Sequence, residues 1–182
     1  MSLFDKKKMQ KLANTQKEKK YTILIVDDEE PNLRALRKAL EDDEYEILTS
    51  TSGEEALALI QSDKKPDKIH LILSDQRMPG LTGVELFKRI LPIIPKTIRI
   101  ILTGYTDMNA IITAINEGHI YNFITKPVEI QDLKITIKRA LETYDLESEN
   151  ERLIQELQLL NSDLEMKVQI RTKDLADSLN EL

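Results

Sequence analysis

Several apolar segments of this 182-residue chain end in side chains that could bind a metal ion and a phosphate. The run ILIV is followed by Asp27 and Asp28, and KIHLIL is followed by a Ser-Asp pair that contains Asp75. Two further runs end at Thr103 and Lys126. Three carboxylates held close together repel one another, and a hard divalent cation relieves that repulsion. Because a hydroxyl and an ammonium group can bind phosphoryl oxygens, the set predicts Mg²⁺-dependent phosphoryl transfer.

The segments that carry these residues alternate between strand and helix patterns. Short β-branched runs such as YTILIV and TIRIIL are typical of buried strands, whereas PNLRALRKALE and GEEALALIQS place apolar residues at helical spacing. Five strands alternate with five helices between Tyr21 and about Leu141, and the fourth helix is expected to begin at Asp107 and end at Gly118. This alternation predicts an α/β fold, flavodoxin-like, with a doubly wound five-stranded parallel sheet in the order 2-1-3-4-5.

In that strand order the ligand crevice lies beyond the carboxyl ends of strands 1 and 3. Each candidate residue has an ordinary explanation of its own, since Asp27 could cap a helix and Asp75 could sit in a turn. Their joint position at the carboxyl ends of strands 1, 3, 4 and 5 favours a functional site. His70 and His119 fall at the other ends of their segments, so no histidine is expected to act as a general base. These residues are suited to a reaction in which one of the carboxylates itself accepts a phosphoryl group.

Four motifs, ILIVDDEE, LILSDQRMPGLTGVEL, IILTGYTD and FITKP, together resemble the receiver domain of bacterial two-component response regulators, of the chemotaxis-receiver-like kind. The resemblance covers residues 21–142. It implies that Asp75 is the phosphoacceptor and that the donor is a sensor histidine kinase or a phosphotransfer protein. It also implies that Asp28 binds Mg²⁺ directly and that Asp27 acts partly through water. The backbone carbonyl of Arg77 would be a further ligand.

The same resemblance assigns the remaining site residues. Thr103 and Lys126 would bind the phosphoryl group, and Phe123 would be the aromatic residue that changes position with Thr103 on switching. Arg77 and Tyr105 occupy positions that tune the lifetime of the phosphorylated state. The resemblance implies a switch that assists its own phosphorylation and dephosphorylation, and not an enzyme.

Two other functions fit an α/β chain with an aspartate at a strand end. The pattern that resembles a Mg²⁺-dependent phosphatase of the haloacid dehalogenase type is D-x-D-x-T at the end of the first strand. This chain has DDEEP at that place. A flavodoxin-like nucleotide binder would need a loop rich in Gly, Ser or Thr, and the sequence DDEE would repel phosphate unless a metal intervened. A steady turnover assay with a simple phosphomonoester separates the phosphatase from the switch.

The composition excludes several other classes of function. The net charge of −6 argues against general nucleic-acid binding, and the absence of cysteine excludes disulfides and thiol chemistry. Aromatic residues make up only 4% of the chain, so the core should be aliphatic. The apolar runs are shorter than the roughly 18 residues that a membrane helix needs. Residues 1–20 are rich in lysine and are expected to form a flexible basic tail. We therefore expect a cytoplasmic protein with no membrane partner.

Beyond the receiver-like region, residues 143–182 have the pattern of a coiled coil. No proline or glycine occurs from Lys134 to the end, and an apolar seam follows the heptad spacing 4-3-4-3-4 through Leu146, Asn150, Leu153, Leu157, Leu160 and Leu164. A polar residue such as Asn150 on a seam favours two parallel strands in register. The segment resembles the signalling helices that join receivers to output domains, so we expect a homodimer that leads to an output domain. The alternative is a helix that folds back on its own domain.

Overall fold

The computed structural model describes residues 21–41, 45–62, 68–104, 108–116 and 120–180. In this part of the chain, strands alternate with helices. The strands are β1 (Tyr21–Val26), β2 (Tyr45–Ser50), β3 (Ile69–Asp75), β4 (Ile98–Thr103) and β5 (Asn122–Thr125). The helices are α1 (Glu30–Leu40), α2 (Gly53–Ser62), α3 (Gly83–Ile90), α4 (Met108–Asn116) and α5 (Ile130–Asn180). The predicted ends of α4, Asp107 and Gly118, lie outside the described residues, as do Tyr105, His119 and the basic segment 1–20.

The strands form one parallel sheet in the order β2-β1-β3-β4-β5. The predicted doubly wound order is therefore confirmed. The register places Val26 opposite Ser74 and Asp75 opposite Leu102. Because parallel strands point the same way, the residues that follow β1, β3, β4 and β5 meet at one edge of the sheet. That edge is called the carboxyl edge below.

The core of this sheet is aliphatic, as the low aromatic content predicts. The apolar residues of β1, β3 and β4 are almost fully buried, which is typical of parallel strands covered on both faces. Among the largest fully buried side chains of the described residues, Phe87 alone is aromatic. Burial of one such side chain contributes about 1.5–3 kcal/mol. The central strands that carry the candidate residues are thus the most firmly packed part of the sheet.

The chain divides into two compact units, Met1–Leu141 and Glu142–Leu182. The second unit is helical through Asn180, as the absence of proline and glycine predicts. The leucines in the described part of this unit are solvent-exposed, for example Leu146 at 72%, Leu157 at 65% and Leu164 at 59%. Within the described residues, none of the helices combines the length and apolar character needed to cross a bilayer.

Candidate functional site

Three carboxylates meet at the carboxyl edge of the sheet. Asp27 and Asp28 follow β1, and Asp75 is the last residue of β3. One carboxylate oxygen from each of the three lies within 4.8 Å of the others. Asp27 and Asp75 are buried, whereas Asp28 is exposed. The structure thus brings together the three acidic residues predicted from the sequence, in an arrangement that could hold a divalent cation.

Lys126 reaches this acidic cluster from the end of β5. Its ammonium nitrogen lies 3.0 Å from Oδ1 of Asp75 and 3.4 Å from Oδ2 of Asp27. The backbone positions it as well, because the N–H of Lys126 donates to the carbonyl of Thr103 at 2.7 Å. Burial by itself would lower the pKa of Lys126, but the two carboxylates outweigh burial and raise it. Lys126 therefore stays protonated and offsets part of the negative charge.

The pKa of Asp75 is raised above its ordinary value. Burial is the main cause, and the neighbouring charge of Asp27 adds to it, while the contact with Lys126 acts in the opposite direction. Ionised Asp75 is thus destabilised by its surroundings even with a lysine beside it. A second positive charge at this edge would stabilise the ionised form.

Asp27 is held in place by donors from the start of α1. Its Oδ1 accepts a hydrogen bond from the backbone N–H of Glu29 at 2.9 Å. The side-chain amide of Asn32 donates to Oδ1 at 3.1 Å and to Oδ2 at 3.3 Å. The carboxylate of Asp27 is therefore fixed by neutral donors on one side and contacted by Lys126 on the other.

The loop after Asp75 is fastened to both the sheet and α3. The N–H of Gln76 donates to the carbonyl of Leu102 at 2.9 Å, and the carbonyl of Gln76 accepts from the N–H of Gly83 at 3.3 Å. The buried side chain of Gln76 also accepts from the N–H of Val84 at 3.2 Å. These bonds fix the backbone that carries the Asp75 carboxylate.

Gly83 lets the first turn of α3 lie directly against Asp75. A Cβ atom at this position would come within 2.5 Å of the backbone oxygen of Asp75 and within 2.7 Å of Cδ1 of Ile101. Contacts this short cannot be accommodated without moving backbone. The absence of a side chain at Gly83 is thus required by the close approach of helix and strand.

A capping box begins α3. The hydroxyl of Thr82 accepts from the N–H of Glu85 at 3.3 Å, and the carboxylate of Glu85 accepts from the N–H of Thr82 at 3.0 Å. The hydrogen bonds from Thr82 hold the pKa of Glu85 below its ordinary value. This cap sets where the helix begins and so helps to keep Gly83 against β3.

Thr103 is fully buried at the end of β4, and its hydroxyl donates to the carbonyl of Gly104 at 2.9 Å. A Cβ atom at Gly104 would meet nothing within 4 Å, so space is open beside Thr103. Phe123 on β5 is half-buried and packs against the core. Arg77, whose carbonyl is a predicted metal ligand, is exposed two residues after Asp75.

The histidine in the described part of the chain lies away from the acidic cluster, at the start of β3. Nδ1 of His70 accepts the N–H of Thr22 at 3.0 Å, and its ring packs edge-on against Tyr21. These contacts are at the amino ends of β1 and β3, as predicted. His70 is thus not available as a general base for Asp75.

A family model for the response regulator receiver domain matches residues 23–138, which is more than half of the chain. The chain belongs to the response regulator receiver family. The match agrees with the sheet order and with the position of the three aspartates. It does not support the phosphatase alternative.

Similar proteins extend this assignment. The hydrogenase transcriptional regulatory protein HoxA of Cupriavidus necator is 43% identical over 140 residues, which are 77% of this chain and 28% of HoxA. The C4-dicarboxylate transport regulator DctD of Rhizobium meliloti is 33% identical over 72% of this chain and 28% of its own length. This chain therefore spans a little over a quarter of these curated relatives.

Solved structures show the same receiver fold. A crystal structure of adenylate cyclase from Rhodopirellula baltica is 35% identical, with a TM-score of 0.70 over 75% of this chain and 98% of that one. A receiver domain from Clostridium thermocellum is also 35% identical, with a TM-score of 0.65 over 69% of this chain and 98% of the other.

Three further positions shape the receiver's site, namely Asn32, Gln76 and Gly83. Asn32 lies outside the four motifs, whereas Gln76 and Gly83 lie within LILSDQRMPGLTGVEL but were given no role there. Asn32 lies in the first turn of α1, five residues after Asp27, but its local sequence does not indicate the contact. Gly83 lies in TGVE, which also reads as an ordinary helix start, so the sequence does not indicate its close contact with β3. The role of Gln76 depends on hydrogen bonds that no local pattern indicates.

Proposed function

We propose that Asp75 accepts a phosphoryl group from a phosphohistidine of a sensor kinase or phosphotransfer protein. A carboxylate oxygen of Asp75 forms the new O–P bond while the P–N bond to the histidine breaks, and the leaving imidazole nitrogen takes up a proton. Water later hydrolyses the acyl phosphate to aspartate and inorganic phosphate. The observation that carries this proposal is the buried Asp75 carboxylate, 3.0 Å from Lys126 and beside two further carboxylates.

The acidic cluster fits Mg²⁺, which prefers oxygen ligands and completes its shell with water and phosphate. In this proposal Asp28 and Asp75 bind it directly, Asp27 acts partly through water, and the backbone carbonyl of Arg77 adds a ligand. The exposure of Asp28 and the contacts that already hold Asp27 support this division of roles. The cation would neutralise charge on the phosphoryl oxygens during transfer.

Lys126 and Thr103 would hold the transferred group. Lys126 is already at the acceptor and can move its contact from the Asp75 carboxylate to a phosphoryl oxygen. The hydroxyl of Thr103 would leave the carbonyl of Gly104 and donate to another phosphoryl oxygen. The space that Thr103 leaves would then be filled by Phe123, which is only half-buried and packs beside the core. Thr103 and Phe123 thus form the proposed switch.

A cavity of about 350 Å³ lies beside the site and gives a donor room to approach. Its lining includes Asp27 and Lys126 as well as apolar residues such as Leu36 and Ile130. The proposal treats the chain as a switch and not as an enzyme with steady turnover. Reaction with a kinase would take place in the cytoplasm.

Residues 143–182 would pass the switch on as a parallel homodimer. The exposed leucines of this segment need a partner, and Asn150 on the seam favours two parallel helices. The output domain controlled in this way would be a transcriptional regulator, as the name of HoxA states for that protein, or a cyclase. The second option follows the name of the Rhodopirellula baltica protein, which is adenylate cyclase. This fragment, with its net charge of −6, is not proposed to bind DNA itself.

The proposal is tested by incubating the purified chain with acetyl phosphate and Mg²⁺ and measuring its intact mass. One phosphoryl group should be added, and chelation of Mg²⁺ should prevent the addition. Asp75→Asn should abolish the mass shift, whereas Asp132→Asn, which changes an exposed aspartate in the first turn of α5, should leave it unchanged. Undiminished labelling of the Asp75→Asn variant would refute the assignment.

A further inference from the structure

Asn32 makes contacts with Asp27 that no motif of the sequence indicates. Its amide nitrogen lies 3.1 Å from Oδ1 and 3.3 Å from Oδ2 of Asp27, so one neutral group spans both carboxylate oxygens. Asp27 is fully buried and Asn32 is half-buried in the first turn of α1. The contact therefore joins the end of β1 to the helix that follows it.

We propose that Asn32 is a positioning residue for metal binding, which holds the Asp27 carboxylate in the orientation that the cation needs. The inference rests on the proposed Mg²⁺ site. The carboxylate is contacted by Lys126 at one oxygen and by the N–H of Glu29 at the other. Asn32 touches both oxygens and so fixes the rotation of the group about its own axis.

A neutral donor suits this role better than a charged one. A second lysine or an arginine at this position would repel an incoming cation. An apolar side chain would leave only the N–H of Glu29 to oppose a turn of the Asp27 carboxylate toward Lys126. The amide of Asn32 orients the carboxylate and adds no charge. Groups that orient metal ligands in this way commonly affect metal affinity by about 10–100-fold.

A purely structural role is the competing explanation, because the contact also fastens the start of α1. The two roles differ in whether the effect on metal affinity depends on Asp27. If Asn32 acts through Asp27, its removal should matter only while Asp27 carries its carboxylate. A double-mutant cycle with Asp27→Asn measures that dependence.

The experiment is an NMR titration of the apo chain with Mg²⁺, with thermal unfolding as a check on the fold. Asn32→Leu, which has a similar size but no donor, should raise the Kd for Mg²⁺ about tenfold. In the Asp27→Asn background the same change should alter the Kd by less than about twofold. Lys38→Ala, on an exposed position of α1, is the control and should leave the Kd unchanged. Asn32→Ala serves if the leucine variant fails to fold.

Two results would overturn the role of Asn32. One is an equal rise in Kd in both backgrounds, which indicates a general effect on the fold. The other is an unchanged Kd in Asn32→Leu while Asp27→Asn does weaken binding. A parent chain that binds no Mg²⁺, or binds it equally well after Asp27→Asn, would instead contradict the proposed metal site from which the role of Asn32 follows.

Discussion

In this receiver, the positive charge of Lys126 partly offsets the cost of burying the carboxylate of Asp75. Burial raises the pKa of Asp75 and the lysine only partly compensates, so ionised Asp75 is destabilised until more positive charge is present. A cation at the acidic cluster would supply that charge. In the proposed mechanism, phosphorylation of Asp75 would bring about −1.5 to −2 charge to the same place, and Lys126 and Thr103 would be the adjoining donors.

We predict that Thr103→Ala accepts a phosphoryl group at Asp75 but does not undergo the linked conformational change at Phe123. The variant lacks the hydroxyl that donates to Gly104 and that would move toward the phosphoryl group. Phosphorylation would then no longer change the space available to Phe123. The rate of phosphorylation by acetyl phosphate should fall by about 10- to 150-fold at most, since one hydrogen bond to a charged group contributes about 1.5–3 kcal/mol. Amide NMR shifts on α4 and β5 should become much smaller. Shifts as large as those of the parent would contradict this role.

The candidate residues could be predicted from the sequence because each stands at the end of an apolar run, and parallel pairing brings such ends together. The placement of Asp27, Asp28, Asp75 and Lys126 follows from that rule alone. The contacts of Asn32 and Gln76 do not, because they depend on side-chain directions set by packing. Residue roles that rest on such non-local contacts require the structure.

Among the elements, β3 and α3 are joined closely around Asp75. Three hydrogen bonds of Gln76 join the loop between them to the sheet and to the helix start. The capping box of Thr82 and Glu85 fixes the first turn of α3, and Gly83 brings that turn against Asp75. The backbone that carries the Asp75 carboxylate is therefore held by a helix as well as by its own strand.

We predict that Gly83→Ala lowers the free energy of unfolding by about 1–3 kcal/mol, the usual cost of overpacking. The new methyl group would lie 2.5 Å from the backbone oxygen of Asp75, which must move to make room. Phosphorylation of Asp75 should slow as well. Gly104→Ala is the matched control for stability, since nothing lies within 4 Å of its Cβ. Chemical denaturation that finds both variants as stable as the parent would contradict the close packing of α3 on β3.

A pH-dependent contribution to stability is predicted for the cap of α3. The pKa of Glu85 is lowered in the folded state by its bonds with Thr82, so the ionised carboxylate favours folding. The contribution should be fully present above the unfolded pKa of about 4.3 and lost as the pH falls through the lower folded value. The free energies of unfolding of the parent and of Glu85→Gln, measured by chemical denaturation, should therefore differ near neutral pH and become equal at acidic pH. A difference in stability that grows toward low pH would contradict the predicted direction of this pH dependence.

The existence and order of the elements could be predicted from sequence periodicity, because five short apolar runs alternate with amphipathic segments. The close approach of α3 to β3 could not, because the same TGVE pattern also reads as an ordinary helix start. What determines that approach is the shape of the surrounding packing, in particular Ile101 beneath Gly83.

In the whole molecule, several leucines in the described part of residues 142–182 are solvent-exposed. The leucines of the heptad seam, such as Leu153, Leu157 and Leu160, are between 45% and 65% exposed. The heptad spacing ends at Leu164, and the next seam positions are taken by Lys167 and Arg171. We therefore expect the pairing to be strongest between Leu146 and Leu164.

We predict that Leu157→Lys with Leu160→Lys converts a dimer into a monomer that still folds and accepts phosphate. Each buried leucine contributes about 1.5–3 kcal/mol, so two lost from each helix should prevent pairing at tens of micromolar. Gln155→Lys with Gln158→Lys adds the same charge on the other face of the helix and is the control, which should stay dimeric. Light scattering that finds the unmutated chain monomeric would contradict the pairing.

The most direct test of the receiver mechanism is to locate the phosphoryl group chemically. The unmutated chain is phosphorylated with acetyl phosphate and Mg²⁺ and then treated with borohydride, which reduces an aspartyl phosphate to homoserine. Peptide mass spectrometry then identifies the converted residue. Conversion at Asp75, dependent on Mg²⁺, is the predicted result. Conversion at another aspartate, or a stable phosphate on serine or threonine, would contradict Asp75 as the acceptor.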